Sequence, residues 1–223
     1  MSRPAIWGCI YAIAMAAVES AVVVYLRALY PVDASVAALL AVVPDRLITI
    51  EIGREAATLV MLLAVAMLAG RDRWERFLAF SLAFGIWDIF YYVWLWVFIG
   101  WPPSLFTWDV LFLIPVPWLA PVLAPLIVSL CLVAGALWWL VLHARGATPQ
   151  FPPLVWVLAG VGAALVLLSF TLDYRSVVDR VEPARFRWGL FGTGVALAVG
   201  AFVVGTRRPT GLWPVENAPE EIR

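Results

Sequence analysis

The chain has 223 residues, of which 64% are hydrophobic and only 13% charged, and its formal net charge is zero. A soluble domain is about half apolar and about a quarter charged, and a water-soluble fold could not hide this much apolar surface. A balanced charge gives no indication of nucleic-acid binding. The composition therefore excludes an ordinary soluble domain and predicts an integral membrane protein.

Six apolar segments are long enough to cross the hydrocarbon core of a bilayer, which takes about 20 helical residues. They predict an all-α fold, a polytopic membrane bundle of about six transmembrane helices. The expected spans are Ala5–Leu29, Leu47–Ala69, Arg76–Ile99, Pro117–Leu142, Pro153–Leu172 and Trp188–Gly205. Residues 1–208 would then form the transmembrane bundle, and residues 209–223 a short solvent-exposed tail.

With six spans, both termini lie on one side of the membrane, together with the loops around 71–76 and 143–150. We call this the terminal side, and the opposite side the far side. The terminal side carries Arg3, Arg71, Arg73, Arg76, Arg145, Arg207 and Arg208, and the far side carries Arg27, Arg46, Arg175, Arg180, Arg185 and Arg187. The positive-inside rule then favours a bacterial inner-membrane protein with cytoplasmic termini, although the arginines of the last loop argue the other way.

The second span begins with charged residues, in the sequence ITIEIGREAATLVML (48–62). Glu51, Arg54, Glu55 and Thr58 fall within about 100° of one another around a helix, so they form one polar stripe. The purely apolar remainder, 56–69, is only about 14 residues and too short to span alone. The charged turn must therefore lie inside the membrane.

Two further spans carry an acid. Glu19 lies in AMAAVESAVVV, and Asp88 lies in FGIWDIFYYVW, where Tyr91 and Tyr92 share its helix face. Chain direction places both acids, like those of the second span, in the half of the bilayer nearer the far side. An ionised residue at the bilayer centre costs roughly 2.5–3.5 kcal/mol, so such groups normally face the bundle interior and find partners.

Four acids at one depth face a single internal arginine, which leaves a surplus of negative charge. Two interpretations stay open: a site that binds a ligand, a cation or protons, and a self-satisfied polar clamp that locks helix packing. The candidate residues for a ligand or proton site are Glu19, Glu51, Arg54, Glu55, Asp88, Tyr91, Tyr92 and, on the far-side loop, Asp109. No catalytic residue can be assigned.

The sequence GWPPSLFTWDVLFLIPVPWLAPVLAP (100–125) separates the third and fourth spans. Ser104–Ile114 is too short to cross and is expected to be an interfacial or re-entrant segment. Prolines 117, 121 and 125 follow at intervals of four, and inside a helix each would deprive a carbonyl of its donor. We therefore expect a fourth helix that begins near Pro117 and is broken by prolines, either lining a pocket or kinked and relieved by its neighbours.

Three motifs resemble a bacterial family of six-span integral membrane proteins that has no assigned function. They are FGIWDIFYYVW, LFLIPVPWLAPV and the helix that begins EIGREAATLVML. The resemblance implies a six-span membrane protein over most of the chain. It brings no catalytic residue, cofactor or substrate.

Three functions fit these features. The first is a site that binds or processes a lipid, a quinone or another small apolar ligand, with carboxyls and tyrosines as proton donors and acceptors. The second is a proton- or cation-coupled transporter, and the third is a structural or accessory subunit of a larger membrane complex, where 13 tryptophans would contact lipid or partner helices. Carboxylates suit hard cations, but no metal site is assigned; a redox metal in particular is not expected, because no Glu-x-x-His pattern occurs in the spans, and no cofactor can be named.

Overall fold

A computed structural model describes residues 3–30, 44–145, 151–178 and 185–207. The elements in these ranges are α1 (Arg3–Leu29), α2 (Asp45–Ala69), α3 (Arg73–Ile99), β1 (Trp108–Phe112), β2 (Trp118–Pro121), α4 (Leu123–Ala144), α5 (Pro153–Thr171), α6 (Tyr174–Val178) and α7 (Trp188–Arg207). All the helices except α6 are long and apolar enough to cross a membrane. The expected helical bundle, with six helices long and apolar enough to span a membrane, is therefore confirmed, whereas the tail at 209–223 lies outside the described residues.

The connection between α3 and α4 differs from the expectation, because it contains a β-hairpin. β1 pairs antiparallel with β2, from Trp108 opposite Pro121 to Phe112 opposite Trp118. The fourth helix begins at Leu123, and the expectation of a proline-broken span that starts near Pro117 is wrong.

The physical reason lies in the residues that precede the prolines. A proline disfavours the helical conformation of the residue before it, and Ile114, Val116 and Ala120 each precede one. The chain therefore forms no helix here: residues 114–116 bend, and Ala120 lies in β2. Pro125 alone of the three spaced prolines lies in α4, within the first turn, where a missing N–H leaves no helical hydrogen bond unmade.

The hairpin extends deep into the bundle. At its outer end the Val122 N–H donates to the Thr107 carbonyl at 3.0 Å. At its inner end the Phe112 ring lies 6.5 Å from Phe84 and 6.2 Å from Trp87, measured between centroids. Phe84 is about 22 Å from the far end of α3 at 1.5 Å per residue, so the inner end of the hairpin reaches the middle of that helix.

α3 is the central helix and packs against α1, α2 and α4, while α5 packs mainly against α7. A glycine permits its close approach to α4, because a Cβ on Gly85 would lie 2.8 Å from the carbonyl oxygen of Ser129. Gly85 is one turn before Asp88 and shares its face. The contact therefore brings α4 close to the acid on α3.

Replacing Gly85 with alanine should separate α3 from α4. We expect Gly85→Ala to lower the free energy of unfolding by about 1–3 kcal/mol, the usual cost of overpacking a core. Gly160→Ala in α5 is the control, since a Cβ there meets nothing within 4 Å. Thermal unfolding of the two variants in detergent measures the difference, and equal stability would contradict the close packing.

Candidate functional site

A cavity of about 130 Å³ lies between α1, α2, α3 and the first strand of the hairpin. The structure brings all eight candidate residues to its wall: Glu19, Glu51, Arg54, Glu55, Asp88, Tyr91, Tyr92 and Asp109. They come from the second half of α1, the first half of α2, the second half of α3 and from β1. The candidate residues therefore share one level, in the half of the bundle nearer the far side.

Arg54 links α1 to α2. Its Nη1 atom forms an ion pair with Glu19 of α1, and its Nε atom lies 2.7 Å from Oε2 of Glu51 on its own helix. The Thr58 hydroxyl, one turn later, also donates to Glu19. The Glu19 side chain is only 5% exposed, against 15% for Glu51, so Glu19 is the partner that depends most on this arginine.

Glu55 holds the inner end of the hairpin. Its Oε2 atom accepts a hydrogen bond of 2.8 Å from the backbone N–H of Leu113, the residue after β1. A backbone N–H withdrawn from water without an acceptor costs free energy comparable to a lost hydrogen bond. The carboxylate on α2 therefore supplies the acceptor that this irregular backbone needs.

The remaining two acids are each bound by a hydroxyl from another element. Ser129 of α4 donates to Asp88 at 2.7 Å, and Tyr92 of α3 donates to Asp109 of β1 at 3.1 Å. Burial raises the pKa of the Asp109 carboxyl to about 7, although the nearby Arg27 guanidinium and the bond from Tyr92 lower it. These bonds connect α3 to both α4 and the hairpin.

Arg27 was missed by sequence reasoning, which counted Arg54 as the only basic residue well inside a span. Arg27 lies in the last turn of α1 and in the cavity wall, with its guanidinium 4.1 Å from the ring centroid of Trp101. A signal was present, because Arg27 is eight positions after Glu19 and falls on the same helix face. The cavity wall therefore holds two arginines.

Two other groups were missed. Ser129 is the only hydroxyl residue in α4, which made it a candidate partner for an acid. The Leu113 N–H gave no such signal, because a backbone donor is present at every residue except proline. Its role depends on the hairpin, which the sequence analysis did not predict.

The wall combines five carboxyls and two guanidiniums with apolar side chains, among them Val23, Leu26 and Ile48. Such an arrangement can bind groups that donate hydrogen bonds and can exchange protons through carboxyls and tyrosines. Across the described ranges, no three histidine, cysteine, aspartate or glutamate side chains are grouped to hold a metal ion.

No protein-family model, curated protein or solved structure matches this chain. Fold and site together define a class, a multi-pass membrane protein with a polar cavity inside its helix bundle. The motif resemblance to a six-span bacterial family stays an expectation.

Removing Arg54 should leave two acids without their ion-pair partner, at a higher cost in stability for the more buried Glu19 than for Glu51. We expect Arg54→Leu to destabilise the protein by several kcal/mol, because it leaves an uncompensated buried charge. Adding Glu19→Gln should restore more stability than adding Glu51→Gln. Thermal unfolding of the single variant and of both double variants gives the order, and equal rescue by the two glutamines would contradict the pairing described above.

Proposed function

We propose that the protein binds a small amphiphilic molecule within the membrane, a lipid, a quinone or another apolar compound whose polar head enters the cavity. The observation that carries this proposal is an acid-rich cavity of about 130 Å³ inside an apolar bundle, with Val23, Leu26 and Ile48 in the same wall. Polar groups would bind the head, and the apolar side chains would contact the rest of the molecule.

The size and charge of the cavity support this function. One water needs about 10–15 Å³ of such volume, so the cavity has room for a head group or for several waters. Five carboxyls against two guanidiniums favour a head that donates hydrogen bonds, such as an ammonium, a hydroxyl or a quinol. The same carboxyls and tyrosines would exchange protons with the ligand if it is processed.

The position of the hairpin supports a site at membrane depth. We propose that β1 and β2 enter the membrane from the far side as a re-entrant segment. Irregular backbone is tolerated at this depth only where it is buried in protein or lines a wet cavity, and the Glu55–Leu113 bond meets that requirement. With cytoplasmic termini in a bacterial inner membrane, the cavity would lie in the periplasmic half.

A polar clamp, as expected of an accessory subunit in a larger complex, is the second candidate. It is favoured by the bonds that join each of four acids to another element: Glu19, Glu55, Asp88 and Asp109. A transporter has less support, because all these acids lie in one half of the bundle. The apolar cluster of Ala12, Ala16, Leu62 and Ala83 fills the next layer toward the terminal side.

A tryptophan at the cavity wall should displace the ligand without changing any charge. Ile48 lines the cavity, whereas Ile50, two positions later on the same helix, is 54% exposed and lies outside it. Protein purified in mild detergent should carry a bound amphiphile, detected by extraction and mass spectrometry. We expect Ile48→Trp to lose it and Ile50→Trp to keep it. An empty wild-type cavity, or equal loading of the two variants, would favour the clamp.

The orientation can be tested with cysteines in a background that lacks Cys9 and Cys131. Ser104 follows α3 at the far side, and Arg71 precedes it at the terminal side; both are exposed. We expect an impermeant thiol reagent to label Ser104→Cys and to spare Arg71→Cys in intact cells. Labelling of Arg71→Cys alone would show that the termini are outside.

A further inference from the structure

A second concave site lies at the other end of α2, on the terminal side. It is a groove of about 350 Å³ between α2 and α3, lined by Leu59, Val60, Leu63, Arg76, Phe77 and Phe80. It shares no residue with the acid-rich cavity, whose wall on α2 ends at Thr58.

The groove opens toward the outside of the bundle. Val60 is 63% exposed, Leu63 51% and Phe77 57%, and all three belong to helices that are long and apolar enough to cross a membrane. In a bilayer this surface faces the hydrocarbon of one leaflet. The groove wall on α2 runs from Leu59 to Leu63, about 6 Å at 1.5 Å per residue.

Arg76 is the only charged side chain in the groove wall. Its Nε atom donates to the carbonyl of Gly70 at 3.2 Å, and a Cβ on Gly70 would lie 2.4 Å from the Arg76 backbone nitrogen. The turn between α2 and α3 is therefore packed onto Arg76 and anchors its guanidinium. Within the described part of the chain, no acidic side chain forms an ion pair with it.

The two nearest acids in the sequence are already bound to backbone donors. Asp72 caps α3 by accepting from the N–H groups of Trp74 and Glu75, at 2.7 and 2.9 Å. The Glu75 carboxylate accepts from the backbone N–H of Arg71 at 2.8 Å. Within the described residues neither carboxylate accepts a hydrogen bond from Arg76.

We propose that the groove binds an anionic phospholipid, with the phosphate on Arg76 and one acyl chain along Leu59, Leu63 and Phe80. A guanidinium matches the geometry of a phosphate with two parallel hydrogen bonds, and the apolar side chains of the wall suit part of an acyl chain. The site is separate from the cavity on the far side and does not depend on the function proposed for it.

The test compares Arg76→Gln with Arg73→Gln, which removes the same charge from an exposed position outside the groove. Purified protein is titrated with phosphatidylglycerol and, separately, with phosphatidylcholine, and bound lipid is counted by native mass spectrometry. We expect wild type to prefer phosphatidylglycerol. Arg76→Gln should weaken phosphatidylglycerol binding about tenfold, as for a lost hydrogen bond to a charged group, and Arg73→Gln should change it little.

A second pair of variants tests the groove without touching the arginine or its turn. Val60→Trp would fill the groove, whereas Met61→Trp places the same bulk on the neighbouring position outside it. Weaker phosphatidylglycerol binding for Val60→Trp alone supports the site even if Arg76→Gln does not fold. Equal losses within either pair, unchanged binding in all variants, or equal affinity of the wild type for the two lipids would overturn the proposal.

Discussion

A polar group inside an apolar bundle needs a partner, because the surrounding hydrocarbon supplies none. The hairpin between α3 and α4 brings backbone N–H groups to the middle of α3, and the Leu113 N–H is bound there by the Glu55 carboxylate. Asp109 at the outer part of the same strand is bound by Tyr92. These two bonds fix one wall of the cavity.

Each acid inside the bundle has a bonding partner, but not every carboxylate is paired with a positive charge. Arg54 forms ion pairs with Glu19 and Glu51, whereas the partner of Asp88 is the neutral hydroxyl of Ser129. A hydroxyl does not neutralise a carboxylate, so the wall remains acid-rich even though each acid has a partner. The same bonds therefore stabilise the bundle and leave a surface that a hydrogen-bond donor can occupy. This is why a structural role and a binding role coexist in the same residues.

Much of this arrangement is readable from the sequence. Helix length and chain direction are enough to place Glu19, Glu55 and Asp88 at one level, because rise per residue is constant along a helix. The hairpin could not be predicted in the same way, because prolines spaced by four also fit a kinked helix. The one signal for extended chain is that a residue before a proline disfavours the helical conformation. A partner such as the Leu113 N–H, which binds Glu55, is set by tertiary contact and cannot be predicted from residue type. The place of Arg27 in the cavity wall could have been predicted from its spacing of eight positions after Glu19.

The central claim is that Glu55 holds the hairpin inside the bundle through a backbone hydrogen bond. Hydrogen exchange of the peptide that contains Leu113, followed by mass spectrometry, tests it in Glu55→Gln and Glu55→Leu. Glutamine keeps an acceptor oxygen, so the hairpin should exchange as slowly as in the wild type. Leucine leaves the N–H unpaired at a cost of about 1–3 kcal/mol, so exchange should become faster in the hairpin and stay unchanged in α5 and α7. A hairpin equally protected in the leucine variant would contradict the account.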